Sequence, residues 1–211
     1  IELIKKAAMT GKPIIISTGI AYEEDIKLAV DTCLGNDNEN IILLKCTSAY
    51  PTPYDQVDLR SMPYLGEKYP CLYGLSDHTI GDTIPLAAVA LGASVLEKHV
   101  KLNQEIKSAD DFFSMDVEEL KIMVEKIRNI ELSLGSKKWN VNESMISGRK
   151  ISRSLFVTEN IKKGELFTLN NLKSIRPGDG LHPKFLNQII NKVATKNIER
   201  GTPLNWDMID D

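Results

Sequence analysis

The sequence predicts an α/β protein: four βα units of a parallel barrel, followed by a small β-rich domain. Three observations predict it. Four short apolar runs are each followed by a helical pattern; the runs recur roughly every 25–30 residues, the spacing of barrel or doubly wound units. Beyond residue 135 that rhythm stops and a turn-rich segment takes over.

The first run, Ile14-Ile15-Ile16-Ser17, reads as a strand. Glu23 to Leu34 reads as a helix, because Ile26, Ala29, Val30 and Cys33 share one face and Gly35 follows as a stop. The second strand is Ile41–Lys45, with a Pro-punctuated loop from Tyr50 to Tyr54 and a helical stretch around Leu59, Met62 and Leu65. The third strand is Leu72–Leu75, followed by an Ala-rich helix from Ile84 to Leu91. The fourth is Ser94–Lys98. The last helix of this part, Asp116 to Leu134, places Val117, Leu120, Met123, Val124, Ile127 and Ile130 along one stripe, with Gly135 at the C-terminal cap position. Strands that are apolar on both faces and alternate with helices make a parallel sheet. Four units are half of an eight-fold (β/α)8 TIM barrel. The opening octet from Ile1 to Ala8 reads as the middle of a helix without a starting Met, so strands five to eight of a barrel are expected here, with the first half upstream.

Residues 136–152 lose the pattern and read as a connector. The segment 153–211 then shows a faint repeat: Ile161-Lys162-Lys163-Gly164-Glu165-Leu166 recurs as Ile198-Glu199-Arg200-Gly201-Thr202-Pro203-Leu204. A small β-rich domain with pseudo-two-fold symmetry produces such a repeat. So small a domain is expected to lean on the barrel or on a second subunit.

Composition narrows the function classes. A net charge of −3 and a pI near 5.7 leave no basic excess for nucleic acid or an anionic membrane. No apolar run reaches the roughly 20 residues of a membrane helix. Three cysteines, Cys33, Cys46 and Cys71, are odd in number and not in C-x-x-C spacing, which reads as reduced thiols in a cytoplasmic protein.

In a parallel barrel the chemistry sits at the C-terminal strand ends. Here those ends carry Ser17-Thr18-Gly19, then Lys45-Cys46-Thr47-Ser48 with Tyr50 beyond, then Ser76-Asp77-His78-Thr79, then Glu97-Lys98-His99. Two of the three histidines thus occupy equivalent places on adjacent strands, which lie about 4.8 Å apart, close enough for one divalent metal. A lone strand-end histidine is more often a structural hydrogen-bonder, and spacing alone leaves both readings open for the pair. Ser17 and Thr18 fit a helix N-cap as well as an anion site. Asp110-Asp111 fits a solvated loop face, Cys46 a structural thiol, and His182 a loop hydrogen-bonder.

Three stretches, Gly74-Leu75-Ser76-Asp77-His78-Thr79, Glu97-Lys98-His99 and Lys45-Cys46-Thr47-Ser48-Ala49-Tyr50-Pro51-Thr52-Pro53, resemble the N-acetylneuraminate synthase family, a TIM barrel followed by an antifreeze-like (SAF) domain of the β-clip type. The resemblance covers essentially the whole chain. The run Arg176-Pro177-Gly178-Asp179-Gly180-Leu181-His182-Pro183-Lys184-Phe185 and the segment Ser108–Ser114 look more like the pseudaminic acid synthases than the sialic acid synthases of that family.

The resemblance implies metal-dependent condensation of phosphoenolpyruvate with an N-acetylated amino sugar in its aldehyde form, giving a nine-carbon 2-keto acid and phosphate. It implies His78 and His99 as ligands of a divalent metal, manganese or magnesium. It matches Ser17 and Ser76 to phosphoenolpyruvate-binding serines, Glu97 and Asp110 to active-site carboxylates, and Ser48 and Tyr50 to sugar-binding positions. Arg176 matches an arginine that one subunit's SAF domain inserts into its partner's active site, hence a domain-swapped homodimer. The family's further phosphate-gripping lysines and first-strand glutamate would lie upstream, so the chain alone is expected to be inactive. The alternatives are a synthase for N-acetylneuraminate or legionaminate, and a non-catalytic binding or dimerisation module.

Overall fold

A computed structural model of the chain describes residues 1–105 and 107–210; residue 211, the end of the range read as the small domain, lies outside it. The chain divides into two compact units, Ile1–Ser136 and Lys137–Asp211.

In the first unit, helix α1 (Glu2–Ala8) precedes β1 (Ile14–Ser17), α2 (Glu23–Leu34), β2 (Ile41–Cys46), α3 (Ser61–Lys68), β3 (Leu72–Asp77), α4 (Thr83–Ala90) and β4 (Val95–Lys98). The four strands form one parallel sheet in sequence order, curled as half of a barrel, which bears out the predicted fold class. The register pairs Ser17 with Leu44, Cys46 with Ser76, and Ser76 with Glu97. Alternation along the strands then sorts the side chains into two faces. Ile14, Ile16, Ile41, Leu43 and Leu75 point outward, where the helices bury them against Ala8, Val30, Cys33, Met62, Leu65 and Ala88. The opposite, concave face carries Ser17, Leu44, Cys46, Gly74, Ser76 and Glu97. A Cβ at Gly74 would stand 2.0 Å from the Val95 carbonyl oxygen and 2.9 Å from Leu44, so β3 runs too close to β4 for any side chain there.

After β4 the chain forms β5 (Val100–Lys101), which pairs in parallel with β6 (Met115–Asp116), and the excursion between them returns to the sheet end. Helix α5 (Val117–Ser133) starts with a capping box: the Asp116 carboxylate accepts from Glu119 N, and the Glu119 carboxylate accepts from Asp116 N. Such reciprocal caps satisfy two otherwise unpaired helix donors.

The second unit opens with a helix, α6 (Glu143–Arg149), inside the stretch read as an unpatterned connector; Asn142 caps it by accepting from Met145 N. Strands β7 (Ser154–Val157) and β8 (Leu172–Ile175) pair antiparallel, and a short helix α7 (Leu186–Ile189) follows. The repeat seen in the sequence is a pairing in space. Ile161 and Ile198 exchange both backbone hydrogen bonds, 2.9 and 2.8 Å. The flanking asparagines act in mirror fashion: Asn197 accepts from Lys163 N and Asn160 accepts from Arg200 N, both at 2.8 Å. Gly164 and Gly201 both take φ +89°, which a side chain would strain. Leu155, Val157, Ile161, Phe167, Leu172, Ile189, Ile198 and Leu204 fill the core of this unit.

Candidate active site

Each strand of the half-barrel delivers polar groups to the C-terminal end of the concave face, where they line a cavity of about 820 Å³. Ser17, Ser48, Tyr50, Ser76, His78, Glu97 and His99, all singled out from the sequence, line it together. Gly19 makes the first turn possible: its φ is +43°, and a Cβ would meet Ser48 Oγ at 2.9 Å.

Glu97 is the hub of the serine pair. Its Oε1 accepts from Ser76 Oγ at 2.7 Å and from Ser17 Oγ at 3.4 Å, drawing β1, β3 and β4 to one carboxylate. Two residues further along these strands, His78 and His99 approach with ring centroids 5.3 Å apart and planes at 70°. His78 Nδ1 lies 2.9 Å from the Thr47 carbonyl oxygen. That oxygen can only accept, so Nδ1 donates to it and Nε2 is the nitrogen left to face a ligand. His78 is buried, and its own carbonyl accepts from Thr52 N. Cys46 Sγ lies 3.9 Å from the same Nδ1, in a buried position that suits a structural thiol. The half-exposed ring of Tyr50 packs on His78 at 4.2 Å.

Asp110 comes back on the excursion between β5 and β6, where its Oδ2 lies 3.6 Å from His99 Nδ1, beyond hydrogen-bond length. The same excursion supplies a residue that the sequence reading missed. Phe113 is buried and packs 4.8 Å from His99, 5.6 Å from Tyr50 and 6.3 Å from His78, ring centroid to ring centroid. Its sequence signals are the aromatic pair directly after Asp110-Asp111 and its place in the family-like segment Ser108–Ser114. Also missed was the pairing of Asp77 with Lys98, which stand between the site residues on β3 and β4. Their side chains point to the other face and form an ion pair of 2.6 Å with 2% and 3% exposure.

Two imidazoles so disposed, one with its Nδ1 already donating, suit a divalent metal whose other positions are filled by water or substrate. Among the described residues no group of three or more His, Cys, Asp or Glu side chains could hold one. Arg176 belongs to the second unit, exposed at the end of β8, and it enters no ion pair among the described residues. His182 caps the turn at Pro183–Phe185, its Nδ1 accepting from Lys184 N at 3.1 Å.

Residues 1–139 match the NeuB family and residues 152–210 match the SAF domain. The chain is 45% identical over 211 residues to a pseudaminic acid synthase of Helicobacter pylori, covering all of this chain and 62% of that protein. It is 44% identical over 203 residues to one of Campylobacter jejuni, covering 96% of the chain and 59% of the relative. An N,N'-diacetyllegionaminic acid synthase of Legionella pneumophila is 35% identical, over the whole chain and 60% of its own length. The chain thus spans about three fifths of the length of these curated relatives. Among solved structures, a spore coat polysaccharide biosynthesis protein of Bacillus subtilis superposes with a TM-score of 0.60 at 32% identity, over the whole chain and 64% of that structure. A sialic acid synthetase of Leptospira borgpetersenii gives 0.65 at 33% identity, over 70% of the chain and 51% of the structure. The half-barrel with its strand-end serines and histidines, joined to a SAF domain, places the chain in the NeuB family of sugar-acid synthases.

Proposed function

We propose that this chain carries the second half of a pseudaminic acid synthase, which joins phosphoenolpyruvate to an N-acetylated amino sugar aldehyde and releases phosphate. The observation that carries the reading is the paired register of Ser76 with Glu97 on the concave face, with His78 and His99 two residues beyond. High identity to two enzymes named as pseudaminic acid synthases supports the choice of sugar.

In this reading, Ser17 and Ser76 donate hydroxyl hydrogens to the carboxylate or phosphate of phosphoenolpyruvate, turning from Glu97 as substrate enters. His78 and His99 hold the divalent metal, and imidazole donors favour manganese over magnesium, which prefers oxygen ligands. A bound metal polarises the sugar aldehyde as a Lewis acid. Tyr50 and Phe113 wall the aldehyde's approach, and Ser48 offers a hydroxyl to the sugar. The methylene carbon of phosphoenolpyruvate bonds to the aldehyde carbon, whose oxygen takes a proton. Water adds to the second carbon of the former enolpyruvate, Glu97 accepting its proton, and the C–O bond to phosphate breaks to leave the 2-keto acid. Asp110, beside His99, holds that ring or receives a sugar hydroxyl. The three free cysteines fit a reducing compartment such as the cytoplasm, and no helix of the described residues is long and apolar enough to cross a membrane.

The test is the native enzyme with phosphoenolpyruvate, Mn²⁺ and, in turn, the amino-sugar precursors of pseudaminic, legionaminic and N-acetylneuraminic acids. Phosphate release that needs the pseudaminic precursor is expected; turnover confined to another sugar reassigns the substrate, and none with any sugar overturns the reading.

Arg176, exposed and without an ion pair among the described residues, is proposed to reach the sugar in a partner subunit's barrel within a swapped homodimer. Mixing Arg176→Ala subunits with His99→Ala subunits should then restore one intact site per mixed pair. No recovery after demonstrated subunit exchange would show that Arg176 does not act across subunits.

A further inference from the structure

The Asp77–Lys98 ion pair lies between the functional side chains of two strands without touching the cavity they line. On β3 the order is Ser76-Asp77-His78 and on β4 it is Glu97-Lys98-His99, and the register sets Asp77 opposite Lys98. Serine, glutamate and histidines face the cavity; aspartate and lysine face away from it. The pair is nearly closed to solvent, its side chains 2% and 3% exposed. Lys98 Nζ donates to Asp77 Oδ2 at 2.6 Å and to the Thr79 carbonyl at 2.7 Å. Asp77 in turn accepts from Thr79 N and from Thr79 Oγ1, both at 3.1 Å. The residues on either side of His78 are therefore tied to the residue before His99.

A buried ion pair brings little net stability, because desolvation offsets most of the attraction; apolar residues of similar volume often serve as well. What such a pair supplies is geometry: a charge that is costly to leave unpaired admits few arrangements of the groups around it. Here the constrained groups are the backbone on both sides of one histidine and the strand end that carries the other.

We propose that Lys98, with Asp77, is a positioning residue that fixes the His78 and His99 rings relative to one another. The proposal rests on the reading of these histidines as metal ligands. It assigns no proton transfer and no substrate contact to the pair.

The test measures Mn²⁺ binding by electron paramagnetic resonance in the native protein without substrates, well below the melting temperature. Three proteins are compared: wild type, the charge-free double variant Asp77→Asn/Lys98→Met, and His99→Ala. Outer groups that orient metal ligands typically alter affinity by 10- to 100-fold, and a loss of roughly that size is expected in the double variant while it still melts cooperatively. Wild-type Mn²⁺ affinity in the double variant, with affinity lost in His99→Ala, overturns the positioning role and leaves the metal reading standing. Unchanged affinity in His99→Ala overturns the metal reading and the proposal with it. Should the double variant fail to fold, Thr79→Val removes only the hydroxyl that donates to Asp77. A smaller loss of Mn²⁺ affinity is expected there, and an unchanged value overturns the proposal.

Discussion

The two faces of the four-stranded sheet are built from the same residues' neighbours and obey opposite rules. On the outer face Leu43 is fully buried among Val30, Cys33 and Leu65, and shape is what counts. On the concave face Leu44 is just as buried, while the polar groups Ser17, Ser76 and Glu97 gather toward the C-terminal strand ends, and chemistry is what counts there. Each strand has to satisfy both faces at once through a two-residue period, so stability and chemistry are interleaved one residue apart. The teaching is that substitutions at adjacent positions should separate into two classes, one read in unfolding and the other in turnover.

The largest separation is expected at Glu97 and on the catalytic side. Glu97→Gln keeps an oxygen that accepts from Ser76 but removes the proposed base, so kcat of the native enzyme should fall on the order of 10²- to 10⁴-fold. Its unfolding free energy should stay within about 0.5 kcal/mol of wild type, as for exposed positions generally. A kcat within a few-fold of wild type would remove Glu97 from the chemistry and blur the contrast between faces.

Leu43→Ala is the complement. A fully buried leucine cut to alanine leaves a cavity and costs about 2–5 kcal/mol, measured by urea unfolding. With the protein kept folded at low temperature, Mn²⁺ affinity and the KM for phosphoenolpyruvate should match wild type. A selective loss of substrate affinity, without destabilisation, would mean that the outer core sets the site directly.

How much of this was legible in the sequence depends on how local each signal is. The helix Glu23–Leu34 was readable because four apolar residues at helical spacing report its buried face, and the strand Ile14–Ser17 because its β-branched run is unbroken. The third and fourth strands differ from their expected bounds only at the ends, where Ser76 and Asp77 extend β3 and Ser94 precedes β4. Helix α6 was missed because seven residues, none of them buried, carry no periodic face; its one local signal is the Asn142 cap. Position at the strand ends marked the serines and histidines as candidates, and only the family resemblance gave them roles. The Asp77–Lys98 pair was not, since it depends on a register between strands that no local pattern announces, although the parallel triplets Ser76-Asp77-His78 and Glu97-Lys98-His99 hold the hint. Phe113 needed the fold of a whole excursion to bring it against His99. In the second unit the repeat was visible, and what it lacked was the pairing of Ile161 with Ile198 that gives it meaning.

The smallest expected effect concerns the other lysine on the helix-covered face, and it sharpens the comparison because Lys45 lacks what Lys98 has. Lys98 is closed from solvent against a carboxylate; Lys45 is half-buried, its ammonium donating to the Cys46 carbonyl at 3.1 Å and to Thr47 Oγ1 at 3.0 Å. Burial pulls the Lys45 ammonium below its ordinary value of 10.5, and the Asp58 carboxylate only partly counters this. The sign follows from proton counting. Between the folded value and 10.5 the unfolded chain binds more protons at this position than the folded one, so stability from this group rises with pH across that window. Below the window both states are charged and the contribution is constant. Lys45→Met removes the titration, so the stability of wild type relative to Lys45→Met should climb as pH rises toward 10.5 and stay flat near neutrality. The climb should be small, because Lys45 is only partly buried and solvent still screens its ammonium. Urea unfolding of both proteins at a series of pH values checks it. A relative stability that is flat up to pH 10.5, or that falls, would show that the outer face holds the Lys45 charge without penalty, and the two faces would then differ in packing alone.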